Sequence, residues 1–287
     1  MSILNRIFID RKRFPNASTP WEKLSFRIWR KPTARWRSLP DFVIIGVQKG
    51  GTSSLFRYLE GHPQLSMAYR KQVHFFDRFW RNGESWYRAC FGWQFQKGSK
   101  LTGEATPYYF FHPHAPARMK QLLPEAKLVL MLRNPVDRAY SHYSMKRDQG
   151  HEPEADFERA LALEEERIGT EWQKMLENPR YYSLPCRQFS YLRRSYYDEQ
   201  LERWLEYFPR EQFLIIQSER FFEKPVEELQ RLYEFLDIAT YTPKDLRAFN
   251  SRQYAPLSPA LREKLKTHFA PHNRRLEALS GCTFDWD

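Results

Sequence analysis

Asp41-Phe42-Val43-Ile44-Ile45-Gly46-Val47-Gln48-Lys49-Gly50-Gly51-Thr52-Ser53-Ser54 is the stretch from which the fold follows. Residues 42–45 are an apolar run of strand length, rich in β-branched side chains. Three of the chain's eleven glycines then fall within six residues, and Leu55, Tyr58 and Leu59 recur at helical spacing up to Gly61. The order is strand, glycine-rich loop, helix.

A second apolar run, Lys127-Leu128-Val129-Leu130-Met131-Leu132-Arg133, ends at Asn134-Pro135, where Asn134 suits an N-cap and Pro135 the first helical position. A third, Phe213-Leu214-Ile215-Ile216, follows a helical stretch with Leu201, Trp204 and Leu205 on one face. Strands apolar throughout, and separated by helices, belong to a parallel sheet covered on both faces. The expected fold class is α/β. Residues 150–182 are Glu-rich and poor in β-branched side chains, which predicts a helix and a long excursion, a candidate acceptor-side flap. Near the C-terminus, Ser258-Pro259 opens a further helix, and Phe284 and Trp286 are expected to dock on the body.

The 287 residues, 41% hydrophobic, suffice for one substantial core and exclude a disulfide miniprotein, a coiled coil and a wholly disordered chain. Cys90, Cys186 and Cys282 are odd in number and far apart, so they make neither a disulfide framework nor a zinc ligand set. No run of 18 apolar residues occurs, and charges interrupt the first fourteen residues, so neither a membrane span nor a secretory signal is expected, and a cytoplasmic protein is.

Residues 1–40 hold ten Lys/Arg and two acidic residues, a net of +8, whereas residues 41–287 are nearly balanced. The expectation is a basic N-terminal extension, 1–40, ahead of one domain, 41–287. With Trp21, Trp29 and Trp36, the extension reads either as an arm for an anionic membrane surface or acidic partner, or as a strap packed along the domain. A balanced body without a basic groove argues against nucleic acid as a partner.

The glycine loop is expected at the carboxyl end of a parallel strand, where such sheets bind ligands. Glycines let backbone N–H groups line a concave nest, the helix N-terminus adds partial positive charge, and Lys49 with the hydroxyls of Thr52, Ser53 and Ser54 adds donors. The guest is a phosphate-like anion. The spacing of Gly46 and Gly51 is P-loop-like, but the slot after Gly51, which an NTPase fills with lysine, holds Thr52. The second strand ends in Arg133, where a metal-assisted site wants an aspartate. These residues suit a nucleotide neutralised directly by Lys and Arg, with no metal.

With these motifs in hand, the sequence resembles the sulfotransferases that use 3′-phosphoadenosine 5′-phosphosulfate, in the branch of the heparan-sulfate enzymes and their bacterial relatives. The resemblance runs from about Asp41 to the C-terminus. It is carried by residues 48–55, by Lys71-Gln72-Val73-His74-Phe75-Phe76-Asp77, by Gly103-Glu104-Ala105-Thr106-Pro107, by Leu132-Arg133-Asn134-Pro135 continuing to Arg138 and Ser141, and by Tyr197 leading into Leu201. It implies the P-loop-like sulfotransferase fold and transfer of a sulfuryl group to a hydroxyl of a saccharide or small-molecule acceptor. Lys49, Gly50, Gly51, Thr52, Ser53 and Ser54 would hold the 5′-phosphosulfate, Arg133 and Ser141 the 3′-phosphate, and Tyr197 and Arg252 would lie by the nucleotide.

In-line sulfuryl transfer places charge on the leaving phosphate, which Lys49 is positioned to stabilise. The resemblance implies a glutamate base in the 71–77 segment, yet that position is Gln72, which cannot take a proton. His74 stands two residues on; were the segment extended, both side chains would share a face. His74 is therefore the expected base, Gln72 an orienting group, and Asp77 a partner for His74, with Glu104 a second candidate. The competing readings are a non-catalytic nucleotide-binding protein, motivated by Gln72, and a P-loop kinase.

Overall fold

A computed structural model of the chain describes residues 26–247 and 255–286, and the statements below concern these residues. Strands β1 (Phe42–Gly46), β2 (Leu65–Met67), β3 (Leu101–Ala105), β4 (Lys127–Leu132) and β5 (Phe213–Gln217) form one parallel sheet in the order β2-β3-β1-β4-β5. The helices used below are α1 (Thr52–Glu60), α2 (Ala115–Leu122), α3 (Pro135–Asp148), α4 (Glu164–Glu177), α5 (Tyr197–Leu205), α6 (Pro225–Leu236) and α7 (Pro259–Ser280).

The apolar run of β1 and of β4 after Lys127 has a direct cause: alternate side chains enter two different cores. Val43, Ile45, Leu128, Leu130 and Leu132 pack with Met119 of α2, Leu201 and Trp204 of α5 and Leu276 of α7. Phe42, Ile44, Val129 and Met131 pack on the other face with Leu55 and Leu59 of α1 and Leu229 and Leu232 of α6. Each such side chain contributes about 1.5–3 kcal/mol through burial. β2 and β3 escape the apolar-run signal, because β2 is three residues long and β3 carries Thr102, Gly103 and Glu104 in its middle.

The cap expected at Asn134 is present: its side chain accepts from the N–H groups of Val136 (3.0 Å) and Asp137 (3.3 Å), with Pro135 opening α3. Ser258 caps α7 in the same way through Leu261 N–H, 3.3 Å. Phe284 and Trp286 stack at 4.3 Å, and Trp286 reaches the site through its carbonyl, which accepts from Asn134 Nδ2 at 3.2 Å. The stretch 150–182 is helical over Phe157–Ala162 and α4.

Within residues 26–40 the chain is a packed strap. Arg30 donates to the carbonyls of Ala89 (2.6 Å) and Phe91 (2.8 Å), and buried Arg37 donates to Phe91 at 2.9 Å. Ile28, Trp29 and Trp36 stay exposed on this strap. Trp21 lies outside the described residues. The three cysteines are free thiols. No helix among the described residues is long and apolar enough to cross a membrane.

Candidate active site

The connections leaving β1 and β4 run to opposite edges of the sheet, which opens a crevice at their carboxyl ends. The glycine loop fills one side. Val47 N–H donates to the carbonyl of Met131 (2.9 Å), Gly50 N–H to Val47 within the loop (3.0 Å), and the Ser218 hydroxyl to the Gly50 carbonyl at 2.6 Å, which together pin the loop to β4 and to the residue following β5. A Cβ on Gly50 would stand 2.7 Å from the Met131 carbonyl oxygen, so no larger residue fits there. Gly51 has φ +89 and precedes α1, while Lys49 adopts φ +76, a conformation that costs a residue with a Cβ and is held here by the surrounding bonds. The result is a concave turn at the mouth of a helix, which fits the phosphate end of a nucleotide.

Arg133, at the tip of β4, faces this loop: its Nη1 lies 3.4 Å from the Lys49 carbonyl oxygen. The two cationic residues thus border one crevice. Ser141 is buried two turns along α3. Tyr197 is buried as well, and its hydroxyl donates to the Arg133 carbonyl at 2.9 Å, so it braces the strand tip that carries the guanidinium. Arg138 supports the same corner. Fully buried, it donates to Ser195 Oγ (2.6 Å) and to the Tyr191 carbonyl, fastening α3 to the turn that leads into α5.

The segment 71–77 crosses the ends of β3 and β1, tied by Gln72 N–H to the Ala105 carbonyl (2.8 Å) and by His74 N–H to Thr106 Oγ1 (3.3 Å). It is not extended. Gln72 and His74 both adopt left-handed backbone, φ +62 and +56, and a helical turn starts at Phe75, so the same-face relation expected of Gln72 and His74 does not hold. The expected contact with Asp77 is present: His74 Nδ1 lies 2.8 Å from Asp77 Oδ2. Burial opposes charge on Asp77, but His74, with His112 and Arg187 beyond it, holds its carboxyl below the usual range. An ionised carboxylate only accepts, so the proton of this pair sits on Nδ1. Nε2 is buried and has no hydrogen-bond partner among the described residues.

Glu104, the second candidate base, is engaged by the protein itself. Its side chain is fully buried, Oε1 accepts from Thr106 (2.6 Å) and Tyr109 (2.8 Å), and Oε2 accepts from Tyr87. Burial, only partly offset by these donors, pushes its carboxyl up to about 6. Glu104 fixes the floor under residues 72–75, since Tyr109 also receives Phe75 N–H at 2.8 Å.

Two further side chains enter the site that the motifs did not single out. Lys71 donates to Thr52 Oγ1 (3.0 Å) and Ser53 Oγ (2.7 Å), joining the 71–77 segment to the glycine loop. Arg194 donates to Gln48 Oε1 and to the carbonyls of Cys186 (3.0 Å) and Arg187 (2.9 Å), and lies over the Tyr108 ring. Lys71 belongs to a motif quoted above; nothing local marks Arg194, which meets Gln48 from 146 residues away. Arg252 lies outside the described residues.

A parallel sheet with a glycine loop at its crevice defines a P-loop-like α/β protein. Residues 39–258, well over half of the chain, match the family described as Sulfotransferase domain. A solved sulfotransferase structure from Alicyclobacillus acidocaldarius is 32% identical with TM-score 0.70, over 86% of this chain and 98% of that one. Among curated relatives, the membrane-associated sulfotransferase kil1 of Dictyostelium discoideum is 29% identical over 86% of this chain and 66% of its own length. Heparan sulfate glucosamine 3-O-sulfotransferase 6 of Mus musculus is 29% identical over 88% of this chain and 75% of its own. The chain belongs to the sulfotransferase family, and its reaction class is sulfuryl transfer.

Proposed function

We propose that the protein transfers a sulfuryl group from 3′-phosphoadenosine 5′-phosphosulfate to a hydroxyl of a saccharide acceptor. The observation that carries this reading is His74, paired through Nδ1 with Asp77 and with its buried Nε2 unpartnered among the described residues, on a segment that Lys71 ties to the glycine loop. Lys49, the loop N–H groups and the Thr52, Ser53 and Ser54 hydroxyls would hold the 5′-phosphosulfate, and Arg133 and Ser141 the 3′-phosphate. His74 Nε2 takes the acceptor hydroxyl proton as the acceptor oxygen bonds to sulfur. The bond from sulfur to the bridging oxygen breaks, and its electron pair leaves with the phosphate, where Lys49 stabilises the charge. Asp77 stabilises the imidazolium so formed. Acceptance of a saccharide is supported by the heparan-sulfate relative and by the hydrogen-bonding groups that border the crevice.

A labelled-sulfate donor offered with a panel of saccharide and small hydroxylated acceptors, with chelator present, tests this. Transfer to a saccharide is expected. Tight binding of the desulfated nucleotide with no transfer to any acceptor favours the second reading, a nucleotide-binding protein without catalysis, for which Gln72 in the usual glutamate position is the motive. We also infer that the basic strap, with Ile28, Trp29 and Trp36 exposed on it, meets an anionic membrane surface.

A further inference from the structure

Lys71 joins the two halves of the site. Its Nζ rests on Thr52 Oγ1 and Ser53 Oγ, the first hydroxyls of α1, at the turn that the proposed donor would approach with its 5′ end. These hydroxyl oxygens take two of its hydrogen bonds but leave its charge uncompensated. The charged groups that face it are Lys49 from the glycine loop and Arg57 from α1; Arg57 pairs with Glu60 at 2.7 Å, and no carboxylate pairs with Lys71 itself among the described residues. The neighbouring position, where the family resemblance implies a glutamate, is the uncharged Gln72. A cation desolvated among cations, with no anion of its own in the protein, is matched by an anion on the ligand.

We propose that Lys71 is a positioning residue of the donor site, whose ammonium, seated on the Thr52 and Ser53 hydroxyls, supplies a second positive charge, beside Lys49, for the anionic 5′ end of the nucleotide. The inference rests on the nucleotide-binding reading above. Burial, reinforced by Arg57 and Lys49, lowers the Lys71 ammonium to about 7 in the ligand-free protein, so above neutrality much of it is deprotonated. An arriving anion favours the charged form, and binding therefore draws in a proton.

The test is calorimetric titration of 3′-phosphoadenosine 5′-phosphate at pH 8, where the phosphates are already ionised, in two buffers of unlike ionisation heat. The full-length wild-type chain is expected to take up protons on binding. Lys71→Met should bind roughly tenfold or more weakly and take up none, while Lys71→Arg, permanently charged, should bind within about threefold of wild type, also without uptake. Thermal melts of each variant report its folding. Wild-type binding without proton uptake, or uptake undiminished in Lys71→Arg, overturns the assignment while leaving the nucleotide reading intact. A wild-type protein that does not bind the nucleotide overturns both.

Discussion

At His74 the chemistry turns on which ring nitrogen is committed. Nδ1 pairs with Asp77, and in the proposed mechanism the buried, unpartnered Nε2 takes the acceptor proton. Replacing His74 by alanine is expected to lower kcat by about 10²–10⁴-fold and to leave affinity for the desulfated nucleotide within about twofold. Asp77→Asn should lower kcat in the same direction by a smaller factor, because the pair loses the charge that stabilises imidazolium. Initial rates and nucleotide titrations on both variants check this; full activity in either sinks the role of His74 or of its partner. Glu104 offers a separate pH signature. Its carboxyl is raised from 4.5 to about 6, so between these values the folded state holds the extra proton. Its contribution to stability is present at low pH and is lost as pH rises through about 6. Denaturant midpoints between pH 4 and 7 should show that slope in the wild type and lack it in Glu104→Gln. The surroundings of His74 were legible only in part from sequence. The pair with Asp77 follows from three-residue proximity, but the positive φ of Gln72 and His74 is imposed by anchoring to Ala105 and Thr106, on a strand whose polar middle hid it.

The decisive element is the strand, loop and helix from Phe42 to Glu60. Here sequence and structure agree closely, because a strand buried on both faces can only be apolar and a loop this tight can only be glycine-rich. Gly50→Ala puts a methyl group 2.7 Å from the Met131 carbonyl, so the loop must move off β4. A stability loss of about 1–3 kcal/mol, measured by chemical denaturation, is expected together with at least a tenfold loss of nucleotide affinity. An unchanged affinity would show that the loop does not form the cradle. Trp204 on α5 is the corresponding packing anchor: fully buried, it donates from Nε1 to the Phe110 carbonyl at 3.1 Å. Trp204→Ala should cost about 3–5 kcal/mol in the same assay. What the sequence could not disclose at this scale are contacts between elements far apart in the chain. Arg194 on Gln48 and Tyr197 on the Arg133 carbonyl depend on α5 crossing behind the crevice, which no local pattern encodes.

Across the whole molecule, the C-terminal tail and the N-terminal strap close the domain from two sides. Trp286 bonds to the N-cap of α3, and Arg30 and Arg37 bond to the carbonyls of the 89–91 turn. The strap keeps Ile28, Trp29 and Trp36 exposed within the 1–40 stretch of net charge +8, and sedimentation with vesicles should be stronger for anionic than for neutral lipid and weaker for Trp29→Ala. Equal sedimentation with both lipids contradicts that surface. The central claim is that the Lys49 loop and Arg133 hold the donor nucleotide between them without a metal. Titration of 3′-phosphoadenosine 5′-phosphate, with chelator, into the wild type and Arg133→Ala tests it most directly. Saturable wild-type binding, indifferent to chelator and weakened roughly tenfold or more in Arg133→Ala, is the predicted result; binding that requires magnesium, or that Arg133→Ala leaves unaltered, would contradict it.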